Sequence, residues 1–158
     1  MKKILITLLC CLALVGCQST VSDKTYTSHG LTITMSDNFT EKELVNATVY
    51  YLSNDAIFMG LKENFTDLET IGINSESTED DYASAVLENN KADYELQKEG
   101  SLRYFTYEKE VSGKNYFYLS AVAKSNDSFW LLTFASDVKD RDKYEPLFKT
   151  WAKSVKFE

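Results

Sequence analysis

Two neighbouring stretches, residues 116–123 (YFYLSAVA) and 129–135 (FWLLTFA), read as strands at the centre of a sheet. A strand sends successive side chains to opposite faces. The first stretch therefore sets Phe117, Leu119, Ala121 and Ala123 against Tyr116, Tyr118, Ser120 and Val122. The second sets Trp130, Leu132 and Phe134 against Phe129 and Leu131. Both faces carry apolar groups, so both must be covered. Ser125-Asn126-Asp127 is a turn between the two. Ser112-Gly113 and Gly100 are the earlier breaks of the same meander, whose other strands are 94–98 and 102–111.

Elements able to cover this sheet lie on either side of the meander in sequence. Ser77-Thr78 ahead of Glu79-Asp80-Asp81 marks a helix start, because a hydroxyl accepts an orphan amide proton and acids suit the positive end of the helix. The spacing predicts a helix to about Asn89-Asn90 with Tyr82, Ala85 and Val86 inward. A second helix, capped by Ser136 or Asp137, carries Tyr144, Leu147, Phe148, Trp151 and Val155 as one apolar stripe. Pro146 lies within it, so the regular helix is expected to begin near Pro146 or to bend there. Earlier in the chain, 26–35 folds into a hairpin at His29-Gly30, with Leu31, Ile33 and Met35 alternating. A second hairpin over 46–63 turns at Ser53-Asn54-Asp55. The predicted architecture is α+β: an α/β/α sandwich, with a largely antiparallel sheet flanked by helices.

The N-terminus is of a different kind. Lys2 and Lys3 precede the apolar stretch 4–15 (ILITLLCCLALV), which is too short to span a bilayer stably. Leu14-Val15-Gly16-Cys17 follows, and it resembles the lipobox of bacterial lipoprotein signal peptides. The resemblance implies cleavage before Cys17 and a diacylglyceryl thioether, with palmitate-type chains, on its sulfur. Residues 1–16 are then the signal peptide, 17–25 a lipidated tether, and 26–158 a single domain of a size that one core can serve. Each buried CH₂ of the acyl chains contributes about 0.8 kcal/mol, and two or more chains hold firmly where one does not.

Cleavage removes Cys10 and Cys11 and commits Cys17 to lipid, so the folded part has no thiol for a disulfide, metal or nucleophile. The formal charge moves from −7 to −9 as Lys2 and Lys3 leave. Such acidity argues against a nucleic-acid partner, and against adsorption to an anionic membrane except through the lipid.

Few side chains offer chemistry. His29, the one histidine, stands before Gly30 in a turn and reads as solvated. Glu76, Glu79, Asp80 and Asp81 lack the spacing of a calcium loop and suit a helix cap. Asp137, Asp140 and Asp142 alternate with Lys139 and Arg141 and read as another helix start. No nucleophile elbow, zinc helix or phosphate loop occurs, so no catalytic, metal or cofactor-binding residues are assigned. An enzyme would have to work with carboxylates alone. Ten tyrosines are the more distinctive feature. Tyr50, Tyr51, Tyr104, Tyr107, Tyr116 and Tyr118 fall on strands, where they either half-bury at sheet edges or form a recognition surface.

Three segments also resemble a known family. They are Gly30-Leu-Thr-Ile-Thr-Met35, Trp130-Leu-Leu-Thr-Phe-Ala135, and the tail Phe148-Lys-Thr-Trp151-Ala-Lys-Ser154-Val155-Lys-Phe157. With the order hairpin, hairpin, helix, meander, helix, they resemble the PsbP-like proteins, which include DcrB-type bacterial lipoproteins. After Met35 the chain departs from that pattern, with Ser36-Asp37-Asn38-Phe39 where many members carry a proline and a tryptophan. The resemblance implies a non-enzymatic accessory or binding protein. It would be lipid-anchored on the extracytoplasmic side of a bacterial membrane, with an envelope protein as partner and no cofactor. A carboxylate-based envelope hydrolase is the alternative.

Overall fold

The computed structural model describes residues 22–158. The expected signal peptide 1–16, the expected lipidation site Cys17 and residues 18–21 of the expected tether lie outside the described residues. The chain enters through β1 (Asp23–Ser28) and β2 (Leu31–Ser36), paired antiparallel across His29 and Gly30. Those two residues have φ of 50° and 79°, the doubly left-handed turn whose twist matches a hairpin. Histidine tolerates that region better than most side chains, and here it points into solvent. Asp23, Lys24 and Thr25, which composition alone assigns to the tether, already pair with Ser36, Met35 and Thr34.

The remaining elements follow as β3 (Thr40–Glu41), β4 (Val49–Leu52), β5 (Ala56–Asn64), α1 (Phe65–Leu68), α2 (Glu79–Asn89) and β6 (Gln97–Glu99). Then come β7 (Leu102–Val111), β8 (Lys114–Lys124), β9 (Ser128–Asp137), α3 (Arg141–Lys153) and β10 (Lys156–Phe157). Seven strands form an antiparallel sheet in the order β3-β4-β5-β9-β8-β7-β6, with the two quoted strands adjacent inside it. The layered α+β class is as the sequence predicts.

The first hairpin, however, joins β10 in a separate three-stranded sheet, ordered β1-β2-β10. The reason is visible in β2. Leu31, Ile33 and Met35 are buried while Thr32 and Thr34 face outward, so this strand is apolar on one side only. One-sided strands belong in an outer layer, and two-sided ones such as β8 and β9 belong in the middle.

α3 lies beside the small sheet on the same face of the large one. Its Tyr144, Phe148, Trp151 and Ala152 share a core with Phe58, Phe117 and Phe134 below and with Ile33 and Met35 alongside. Phe134 stacks between Phe58, at 4.8 Å, and Phe148, at 5.3 Å. The Thr34 amide donates to Ser154 Oγ at 2.9 Å, tying the end of α3 to β2. Asp137, not Ser136, provides the cap: its carboxylate accepts from the Lys139 amide at the start of a 3₁₀ turn that leads into α3. The helix starts at Arg141 and continues through Pro146, giving up the amide bond to the Asp142 carbonyl.

On the opposite face, Thr78 and Asp81 form a reciprocal capping box at the head of α2. Tyr82 and Ala83 are its fully buried residues, with Ala85 and Val86 partly buried beside them. Tyr82 stacks on Phe129 at 4.6 Å and donates its hydroxyl proton to Glu63. Asp80 receives Arg103 Nε at 2.7 Å and Lys98 Nζ at 2.5 Å, and Lys124 Nζ donates to the Ser75 and Ser77 carbonyls. These contacts pin α2 over one end of the sheet.

Candidate functional site

Strand register arranges the α2 face of the large sheet in rows. One row runs Arg103, Val122, Leu131, Leu61; the next Phe105, Ser120, Thr133, Met59; the third Tyr107, Tyr118, Ala135, Ile57. α2 covers the first row and reaches the second with Val86 and Leu87. Beyond it the face lies open as a furrow of about 510 Å³.

The furrow has a low floor between two ridges. Ser120 and Thr133 form the floor, both small and both buried by their taller neighbours. The Ser120 and Thr133 hydroxyls satisfy each other at 3.0 Å. Met59, half-buried, makes one ridge. The other is a stack of rings: Tyr94 lies on Tyr107 at 4.8 Å and 2°, and Tyr107 lies on Tyr118 at 4.9 Å and 5°. Phe105 backs this stack, 6.1 Å from both Tyr94 and Tyr107.

Burial raises the pKa of Tyr107, with the Ser120 hydroxyl opposing the rise and the neighbouring Tyr118 and Tyr94 adding to it. Burial also raises Tyr118, with Tyr116 contributing. Both phenols therefore stay protonated and able to donate well above neutral pH. Asn90 and Lys109 border the opening, and Lys109 is the one charged residue lining it. Among the described residues Lys109 makes no ion pair. A smaller hollow of about 190 Å³ adjoins along the strands, where Asp137 lies 3.5 Å from Lys114 and 3.3 Å from Lys139.

The six strand tyrosines thus separate. Tyr51 and Tyr104 are core residues of the α3 side. Tyr107, Tyr118 and Tyr116 face the furrow or its extension, and Tyr50 borders an open hollow of about 620 Å³ beside His29. That hollow is bounded by the exposed loop residues Lys42, Glu43 and Leu44, and it gathers no shielded polar group. Tyr94, which the sequence places at the start of a strand over 94–98, instead stands in a loop, because β6 pairs with β7 only from Gln97 to Glu99.

Five acidic residues have structural partners. Asp81 and Asp137 accept backbone amides, and Asp80, Glu99 and Asp127 bind lysine or arginine. Each of the five carboxyls is held below the usual range by these bonds. Among the described residues no three histidine, cysteine, aspartate or glutamate side chains converge as metal ligands, and no helix is long and apolar enough to cross a membrane.

The fold defined by these layers is PsbP-like. The chain is similar to the solution structure of cyanobacterial PsbP (CyanoP) from Synechocystis sp. PCC 6803, with a TM-score of 0.56 at 14% identity, over 93% of this chain and 99% of that one. It is also similar to a crystal structure from Bacteroides thetaiotaomicron VPI-5482, with a TM-score of 0.55 at 13% identity, over 85% of this chain. There it spans 48% of the other chain, about half its length. No protein-family model matches the sequence, and no curated protein does. At such identities the likeness is one of fold.

Proposed function

We propose that the protein is a non-catalytic accessory protein of the bacterial cell envelope that binds a partner in the tyrosine furrow. It would be held by lipid on Cys17 at the extracytoplasmic side of the membrane. The observation that carries this reading is the furrow itself. It presents flat rings, phenol donors and a hydroxyl floor, the equipment of recognition, and no acid that lines its main cavity. A carboxylate hydrolase needs one carboxyl kept protonated near neutral pH. The shifted carboxyls here move the other way and are engaged in caps and ion pairs.

The anchor rests on Leu14-Val15-Gly16-Cys17 and the apolar run before it. Cys17→Ala should release the protein from the membrane fraction, and unchanged retention would defeat the anchor. For the binding face, a photo-crosslinking residue at Lys109 should capture a defined envelope protein in intact cells. The same residue at Thr25, on the far sheet, should not, and neither should the Cys17→Ala variant. Equal capture from both positions would remove the furrow from consideration.

A further inference from the structure

The loop between β3 and β4 turns its apolar residues outward. The Lys42 amide donates to the Tyr50 carbonyl and the Thr48 amide to the Gly60 carbonyl, so both ends of the loop are tied to the sheet. Between them the Ala47 amide donates to the Leu44 carbonyl at 3.1 Å and closes a turn with Val45 and Asn46 at its tip. Val45 is 99% exposed and Leu44 45%, and among the described residues no other large apolar side chain exceeds 53%. Turn chemistry does not select this pair, since turns favour glycine, proline, asparagine, aspartate and serine. The chain follows that rule at His29-Gly30, Ser53-Asn54-Asp55, Ser112-Gly113 and Ser125-Asn126-Asp127. Two adjacent aliphatic side chains at a protruding tip add little to the domain's own core, so their use lies outside it.

We propose that Leu44 and Val45 dip into the interface of the bilayer that holds the Cys17 lipid, a second and apolar contact that turns the β3 edge of the large sheet toward the membrane. The length of chain ahead of the domain favours this occupant. Ser22 follows Cys17 by five residues, a reach of at most about 18 Å. Ser22 is fastened to Asp37: the Asp37 amide donates to the Ser22 carbonyl at 2.8 Å, and Ser22 Oγ donates to the Asp37 carboxylate at 2.6 Å. Val45 follows Asp37 by eight residues, so the loop tip lies within about 29 Å of that point. A domain held so close meets the surface intramolecularly, at high effective concentration, and a contact of two side chains too weak for a free protein is then populated. Glu41, Lys42 and Glu43 precede the pair and leave one net negative charge, so the contact gains nothing from anionic lipid. It presupposes the Cys17 anchor proposed above and adds the domain's orientation to it.

The test uses the mature lipidated protein reconstituted in phosphatidylcholine vesicles. Cys10 and Cys11 leave with the signal peptide and Cys17 carries lipid, so Val45→Cys offers the one free thiol for an environment-sensitive fluorophore. Emission from position 45 should be quenched by nitroxide groups on the lipid acyl chains. Emission from Glu110→Cys should not, because that exposed site on β7 lies four strands from β4, about 19 Å across the sheet. With the label moved to Asn46→Cys, replacing both Leu44→Ser and Val45→Ser should lower the ratio of inserted to free loop by about 10-fold or more, the worth of partly burying two aliphatic side chains. Both positions are exposed, so the melting transition should stay where it is.

Absence of quenching at positions 45 and 46 in vesicle-bound protein would overturn the insertion and leave the anchor standing. Protein that does not stay with the vesicles would sink the anchor, and the loop contact with it. Quenching that survives the double serine replacement, that is equal at position 110, or that appears only with anionic lipid would overturn the apolar contact. Shielding of the label that requires the envelope protein captured from Lys109 would also overturn it, in favour of a protein partner at the loop.

Discussion

On its α3 side the large sheet carries Phe58, Phe117, Leu119, Leu132 and Phe134, each no more than 1% exposed. On its α2 side Ile57, Met59, Tyr107, Tyr118 and Leu131 stay half-buried. Both faces are rich in large side chains, and they differ in what lies above them. Toward α3, a helix and a three-stranded sheet together close the layer. Toward α2, one 11-residue helix is pinned over one end and leaves the rest open. The residue types follow the cover. Phenylalanines and leucines dominate the closed face, with Tyr51 and Tyr104 buried among them, while Tyr107 and Tyr118, whose hydroxyls can reach water, stand where cover is incomplete. Burial was not pushed to its limit on the furrow side, and that is what leaves a surface for a partner. Even the closed face has one imperfection, since the buried Trp130 Nε1 has no hydrogen-bond partner among the described residues.

Stability measurements can break this contrast. The largest loss is expected from Phe134→Ala, about 3–5 kcal/mol in denaturant unfolding, because the ring is stacked on both sides and the neighbours cannot collapse into the gap. A loss below 1 kcal/mol would show that the α3 face is not the tightly packed one. Gly60→Ala should follow at about 1–3 kcal/mol, since its Cβ would come within 2.7 Å of Val49 Cγ2.

Alkaline titration sharpens the comparison further. Burial, followed by the charge of Glu41, pushes Tyr51 up to about 12 from an ordinary 10.0, while the Ser28 hydroxyl pulls against it. The stability linked to Tyr51 should be intact below pH 10 and lost as pH climbs toward 12, because the unfolded chain releases the proton that the folded chain must keep. Tyr51→Phe should flatten that decline, measured as melting temperature against pH, and an unaltered slope would remove Tyr51 as its source. The smallest effect is expected from Tyr94→Ala. Tyr94 is 39% exposed, so the substitution should cost less than about 1 kcal/mol, although it removes the outer ring of the stack. A cost matching that of Phe134→Ala would mean that the furrow ridge is core after all.

Much of this was legible along the chain. The alternation in 116–123 and 129–135, the turns at His29-Gly30, Ser112-Gly113 and Ser125-Asn126-Asp127, and the cap at Thr78 are local signals, and each reappears in the structure. Thr32 and Thr34 even carried the information that β2 covers an outer layer, since a strand apolar on one side has nothing to bury on the other. The pairing of β10 with β2 had no such signal, because a two-residue strand has no period to read.

Local chemistry alone specifies strands, turns, caps and which residues share a face, because these depend on neighbours a few positions apart. Only the tertiary fold decides which face is left uncovered. The tyrosines looked alike in sequence, yet register sends Tyr51 and Tyr104 into the core and Tyr107 and Tyr118 to the furrow, and a loop returns Tyr94 onto them. That outcome depends on the length and placement of α2, and on a strand register that joins residues far apart in the chain.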